Sequence, residues 1–230
     1  MSIVLWAVIY LLALFAAWSI LRLIWSGVVA YYLARRTRML SVEIPGADRR
    51  IAVVGDSTVY GVGATDTAHS IVGRMAKDFP NVHIDNWSEC SRGLSWAART
   101  LESRAGLANA RTYDLVIIMT GGINIICGVP ARVMRHNLSR AVQNAKKISR
   151  NVIIVAPNNV GLAPIINFPL THLYAHLSRR THELFKETAK KEGVHFVSLF
   201  QEREDCLSAD PKRLRALDRT HPSDDGYPLR

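Results

Sequence analysis

Residues 2–21, SIVLWAVIYLLALFAAWSIL, form a run of twenty positions without a charged side chain. In a helix such a run extends about 30 Å, the thickness of the hydrocarbon core of a bilayer. It is apolar on every side and too long for a helix buried in a soluble core, so it predicts a membrane-spanning helix. Arg22 interrupts the run, residues 23–34 are apolar again, and Arg35, Arg36 and Arg38 follow. Two arrangements fit. A helix near residues 3–21 spans while Arg22 snorkels and an interfacial helix follows, or one long tilted helix runs toward residue 34. Trp6, Trp18, Trp25, Tyr31 and Tyr32 suit the two membrane–water interfaces. A cleaved signal peptide would place basic residues ahead of the apolar run, and nothing basic precedes this one but the amino terminus. An uncleaved single-pass anchor over residues 1–34 is therefore expected. The arginines at its C-terminal end place the rest of the chain in the cytoplasm.

Residues 35–49 read as a basic linker containing Pro45 and Gly46. A folded domain over residues 50–230 follows, and its pattern alternates. Short runs at 50–55, 82–86, 114–119, 151–156 and 194–199 predict strands, the first ending in glycine and the third continuously apolar as in a sheet covered on both faces. Between them, helical spacing recurs at 67–79, 93–107, 131–148 and 173–192. Strands that are apolar on both sides, each separated from the next by a helix, predict a parallel five-stranded α/β sheet covered on both faces.

Charge and cysteine content change this picture little. The net charge is +10, from 29 Lys and Arg against 19 Asp and Glu. A surplus of that size favours anionic surfaces. Beside an apolar N-terminus it points to membrane lipid as a partner. No zinc-finger spacing or aromatic–basic signature of an RNA-binding module is present, so no nucleic-acid partner is expected. The basic positions Arg132, Arg135, Arg140, Lys146, Lys147 and Arg150 read as a solvated helix face. Cys90, Cys127 and Cys206 are too few and too irregularly spaced for a metal site or a disulfide framework.

Candidate chemistry is sought where the strands end, because open α/β sheets build their sites beyond the carboxyl ends of their strands. Gly55-Asp56-Ser57-Thr58 follows the first strand and Asn86-Trp87-Ser88-Glu89-Cys90-Ser91-Arg92-Gly93 the second. Gly121-Gly122-Ile123-Asn124 follows the third, and Asp218-Arg219-Thr220-His221-Pro222-Ser223 lies near the C-terminus. A serine at a strand-to-helix turn is exposed beside helix N-terminal N–H groups. A glycine lets a backbone N–H approach a ligand, and an asparagine amide can donate to a developing oxyanion. A histidine three residues after an aspartate can take the serine proton while the aspartate fixes its tautomer. Asp66, Asp85 and Asp114 read as turn or strand-end residues. The helical pair His172/His176 lacks the glutamate of a zinc-protease motif and reads as surface or pocket lining.

Taken together, these blocks resemble the SGNH/GDSL hydrolase family. IAVVGDSTVYGVGA at 51–64 is similar to the family's first block, residues 86–93 to the second, Gly122-Ile123-Asn124 to the G-x-N-D of the third, and Asp218-Arg219-Thr220-His221 to the closing D-x-x-H. His-Pro-Ser followed by Gly226-Tyr227 continues the likeness, which covers about residues 50–228. The resemblance implies a flavodoxin-like, three-layer α/β/α sandwich. It implies Ser57 as nucleophile, His221 as base and Asp218 as the residue orienting it. The oxyanion hole it implies consists of Ser57 N–H, Gly93 N–H and the Asn124 side chain, and it implies no metal or organic cofactor. The expected activity is hydrolysis of an acyl ester or thioester through an acyl-serine, with an acylated lipid as a substrate that suits the anchor. Acyl transfer and sugar O-deacetylation use the same triad, and a binding module that has lost efficient chemistry is the alternative of another class. Two departures stand out. Ile125 occupies the family's aspartate position, which predicts altered geometry or a different substrate edge. The chain also ends at Arg230, where many relatives continue into a helix, so one face of the sheet is expected to be exposed or covered by a partner.

Overall fold

The computed structural model describes residues 3–107, 112–203 and 206–229; Ser2, which opens the apolar run, and Arg230, at the end of the chain, lie outside the described residues. Five strands form one parallel sheet: β1 (Arg49–Gly55), β2 (Val82–Ser88), β3 (Leu115–Met119), β4 (Val152–Ala156) and β5 (His195–Ser198). Their order across the sheet is β2-β1-β3-β4-β5. The chain thus moves outward from β1 in one direction to β2 and in the other to β5. The switch between β1 and β3 opens a crevice above their carboxyl ends.

Helices α4 (Leu94–Ala105), α6 (Ala131–Ile148) and α7 (Leu170–Glu192) cover one face. Ala52, Val54, Val116, Ile118 and Ile154 of the sheet meet Leu101, Leu138, Leu184 and Phe185 there in the main core. Each such fully buried aliphatic side chain contributes about 1.5–3 kcal/mol. The opposite face carries the short α2 (Ser57–Tyr60) and α3 (Ile71–Asp78), whose Val59 and Val72 pack on Val53 and Ile84. This second layer lies over the β1–β2 side. Toward the other edge, Leu115, Ile117 and Ile153 are only half-buried and Val197 is 44% exposed.

The helix expected over 67–79 is divided. Ser70 is extended, and its hydroxyl caps α3 by accepting from Gly73 N–H, so residues 67–69 form a separate single turn. A hydroxyl that offers the backbone a competing bond ends one helix and starts the next. The region read as a linker is also structured in part. Val42 pairs antiparallel with Ile84 of β2, the Ser41 hydroxyl accepts from Asn86 N–H, and Leu40 and Val42 pack on the second core.

At the N-terminus a single unbroken helix, α1 (Ile3–Arg36), takes the place of two segments. Its first half projects from the domain, and the apolar window that is long enough to cross a membrane is wholly unburied. In its second half one stripe turns inward: Ser19, Arg22, Ser26, Val29, Ala30 and Leu33 are buried or half-buried, at helical spacing. Arg22 does not snorkel. Its guanidinium donates to Pro164 O at 2.7 Å and Asn167 Oδ1 at 3.0 Å, and it lies 4.7 Å from the centre of the Trp18 ring. A charge interrupting an apolar run is here held by a loop of the folded domain instead of reaching for water.

Candidate active site

Ser57 begins α2 immediately after β1. Asp56 caps that helix by accepting from Thr58 N–H at 3.1 Å, which turns the chain sharply and raises the serine above the sheet. The His221 ring comes from the opposite end of the sequence. Ser57 Oγ and His221 Nε2 are 2.6 Å apart, and His221 Nδ1 is hydrogen-bonded to Asp218 Oδ2. With Nδ1–H donating to the carboxylate, Nε2 is the acceptor for the serine proton.

The D-x-x-H spacing has a local cause. Asp218 Oδ1 accepts from the backbone N–H of Thr220 at 2.9 Å and of His221 at 3.0 Å, while Arg219 between them is left-handed at φ 58°. One carboxylate therefore binds its own turn with one oxygen and the ring with the other. Asp218 is fully buried, and burial opposes its ionisation. The His221 ring and the two N–H groups together outweigh that, holding the carboxyl below the usual carboxylate range.

The serine and histidine loops are joined directly. Gly63 has φ +100°, and a Cβ there would meet Pro222 O at 2.2 Å, so only glycine lets the loop after α2 lie against the histidine segment. Tyr227 Oη donates to Val62 O at 2.7 Å, and Asp224 accepts from Thr65 N–H at 2.9 Å.

Of the other expected donors, Gly93 and Asn124 lie against each other, and Asn124 lines a cleft separate from the Ser57 cavity. Asn124 lies in α5 (Gly122–Ile126), and its Oδ1 accepts from Leu94 N–H at 3.0 Å. That bond fixes the amide plane and leaves the NH2 group as the donor. A Cβ on Gly93 would meet Asn124 Oδ1 at 2.5 Å, so glycine at 93 is what allows the amide to sit against this loop. Ser57 and His221 open onto a cavity of about 210 Å³ with mainly apolar walls, among them Met119, Ile123, Ile126, Val155, Val160 and Leu199. Ile125 is not among its walls. It is buried and faces a separate cleft beside Met134 of α6 and Leu184 of α7. Of the two outcomes expected at this position, altered geometry or a different substrate edge, the placement of Ile125 away from the cavity wall speaks against the second.

Three other features stand close by. Burial pushes the Asp56 carboxyl above its usual range, against the opposing pull of the Thr58 N–H. Burial first, then the charges of Asp56 and Glu89, push the Cys90 thiol up to about 11, which leaves it protonated at neutral pH and a poor nucleophile. Ser26 of α1 is buried and donates through Oγ to the backbone carbonyl of Asp218 at 2.6 Å. The apolar context of Ser26 in the sequence gave no sign of this contact. Of the aspartates read as structural, Asp66 caps residues 67–69, Asp85 accepts from Tyr113 Oη, and Asp114 accepts from Arg50 N–H.

The GDSL-like lipase/acylhydrolase family model matches residues 53–229. Similar solved structures include a lipolytic G-D-S-L protein from Veillonella parvula, at 19% identity and a TM-score of 0.63, covering 78% of this chain and 92% of that one. The psychrotrophic esterase EstA from Pseudoalteromonas sp., in a structure inhibited by monoethylphosphonate, is 18% identical with a TM-score of 0.59, over 79% of this chain and 92% of that one. A catalytic mutant of Axe2, an acetylxylan esterase from Geobacillus stearothermophilus, is 18% identical with a TM-score of 0.55, over 80% and 91%. No curated protein sequence matches the chain. At these identities the solved structures establish the fold, and the family model spans the segment that carries serine, asparagine, aspartate and histidine: the chain belongs to the GDSL-like lipase/acylhydrolase family and is a serine ester hydrolase.

Proposed function

We propose that the protein is a membrane-anchored hydrolase that cleaves a carboxylic ester or thioester through an acyl-Ser57 intermediate. The observation that carries this reading is the continuous line Ser57 Oγ, His221 Nε2, His221 Nδ1, Asp218 Oδ2. His221 takes the Ser57 proton as Oγ bonds to the carbonyl carbon. The resulting oxyanion is stabilised by Ser57 N–H, Gly93 N–H and the Asn124 amide. Collapse expels the alcohol or thiol, which leaves with the proton held on His221. Water then loses a proton to His221, attacks the acyl carbon and releases the acid and Ser57. The apolar cavity beside Ser57 suits an acyl group, and an acylated lipid is the substrate that fits both the cavity and the anchor.

Retention of α1 as the anchor is supported by its contacts with the domain. Loss of the helix would strip Arg22 from Pro164 and Asn167, and Ser26 from Asp218. Arg35, Arg36 and Arg38 at its C-terminal end favour a cytoplasmic domain.

The test is labelling of the detergent-solubilised protein with a fluorophosphonate. That chemistry is related to the phosphonate that inhibits EstA. The expected result is an adduct on Ser57 that disappears in Ser57→Ala and after heat unfolding. Folded protein that takes up no probe of any size would overturn the hydrolase reading in favour of a binding module.

A further inference from the structure

The anchor and the catalytic cavity share one loop. Its first part, Val160 and Ala163, lines the cavity beside His221. Its next part holds α1: Pro164 and Asn167 accept from Arg22, and Asn167 Nδ2 donates back to Ser19 Oγ at 3.1 Å. Ser19 lies within the uncharged run, two residues before its end. A helix rises about 1.5 Å per residue, so the loop reaches about 3 Å beyond the last residue of that run toward its middle. Directly after this contact the loop exposes large apolar side chains: Phe168 is 68% exposed, Leu170 42% and Leu173 51%. Leu217, next to Asp218, is 81% exposed and lines the cleft between α1 and the catalytic turn, together with Trp18 and Trp25. The outer side of α1 stays apolar past Arg22, through exposed Ile24 and Val28.

These contacts fix depth. If α1 crosses the bilayer, the level of Ser19 is the inner boundary of the hydrocarbon, and the loop tied to it cannot lie in bulk water. We infer that residues 163–173 and Leu217 form a surface that dips into the same leaflet, so that the cavity opens at the lipid interface and draws its acyl ester laterally from the membrane. The partner is a lipid surface. The substrate class is a membrane-resident amphiphile whose ester lies near the depth of the headgroups and whose chain passes the apolar loop into the cavity. Exposed aromatic and aliphatic side chains at such a boundary gain from burial among acyl chains, whereas in water they form an unpartnered apolar rim. The inference rests on the membrane reading of α1.

The experiment uses the full chain in phosphatidylcholine–phosphatidylglycerol vesicles. An environment-sensitive fluorophore is placed at Phe168→Cys, with Lys190→Cys at the far end of α7 as control, both in a background with the three native cysteines replaced by serine. Shallow spin-labelled lipids are expected to quench the label at 168 and not the label at 190. In a second arm, Leu170→Asp with Leu173→Asp tests entry. Acidic residues at the start of α7 favour the helix, so the fold is retained. Turnover of a water-soluble acetate ester is expected to stay within about twofold, while turnover of a long-chain ester embedded in the vesicles falls by about tenfold or more. A water-exposed label at 168 in protein that resists carbonate extraction overturns this inference alone, as does an equal effect on both substrates with the label in water. Extraction of the protein by carbonate overturns the membrane reading itself, and this inference with it.

Discussion

In the proposed mechanism Ser57 is made reactive by His221 Nε2, which faces it at 2.6 Å, and by Asp218, which holds the ring from behind. Groups that act as one unit lose their effect together. His221→Ala is therefore expected to lower ester turnover as far as Ser57→Ala does, and Asp218→Ala less; steady-state kinetics on a soluble ester checks this, and substantial activity in His221→Ala would remove His221 from the role of base. Asn124 offers its amide with the plane already set by Leu94 N–H. Asn124→Ala is expected to reduce kcat about 10²–10³-fold with little change in KM, because the donor acts on the developing oxyanion. A change in KM alone would assign the side chain to substrate binding instead. That Ser57, Asp218 and His221 come together was legible in the sequence, since each needs a specific chemical type at a strand end or in one tight turn; the oxyanion roles of Ser57, Gly93 and Asn124 belong to the proposed mechanism. At Ile125 the sequence left two outcomes open, because the motif records which residue is usual there, not which way the side chain faces. Ser26 was illegible. Its partner Asp218 is 192 residues away, and a serine in an apolar helix has no local signature of a distant carbonyl.

Among the elements, the central strands β1, β3 and β4 were legible because they are nearly continuous apolar runs, and α6 was legible because its apolar stripe recurs over eighteen residues. The single-turn α2 and α5, at four and five residues, are too short for any period to show, although they carry Ser57 and Asn124. Helix α1 was read correctly as long and apolar. Its inward stripe was missed, because small residues and one arginine do not stand out as a packing face. That stripe carries Ser26, which ties α1 to the backbone of Asp218. Ser26→Ala removes a buried hydrogen bond worth about 1 kcal/mol and leaves the Asp218 carbonyl without its Ser26 donor. The expected outcome is a modest fall in melting temperature accompanied by a lower kcat, with Ser26→Thr restoring both. A melting shift with unchanged kcat would make Ser26 purely structural.

At the scale of the whole molecule, the positive end of α1 adjoins the folded domain, so both are expected on the cytoplasmic side. Cys127 is exposed and serves as a native reporter. A membrane-impermeant maleimide should leave it unmodified in intact cells and modify it after lysis; modification before lysis would place the domain outside. The route of the chain from α1 to the sheet has a practical consequence. Residues 41 and 42 occupy the outer side of β2, which would otherwise present a row of unpaired N–H and C=O groups. A soluble fragment cut just before Arg49 keeps every catalytic residue but uncovers that row, and an uncovered outer strand is a template on which a second copy can add. Such a fragment would self-associate under conditions where one beginning at Arg38 stays dispersed. The segment between α1 and β1 thus acts as an intramolecular guard against fibrous pairing between neighbouring copies.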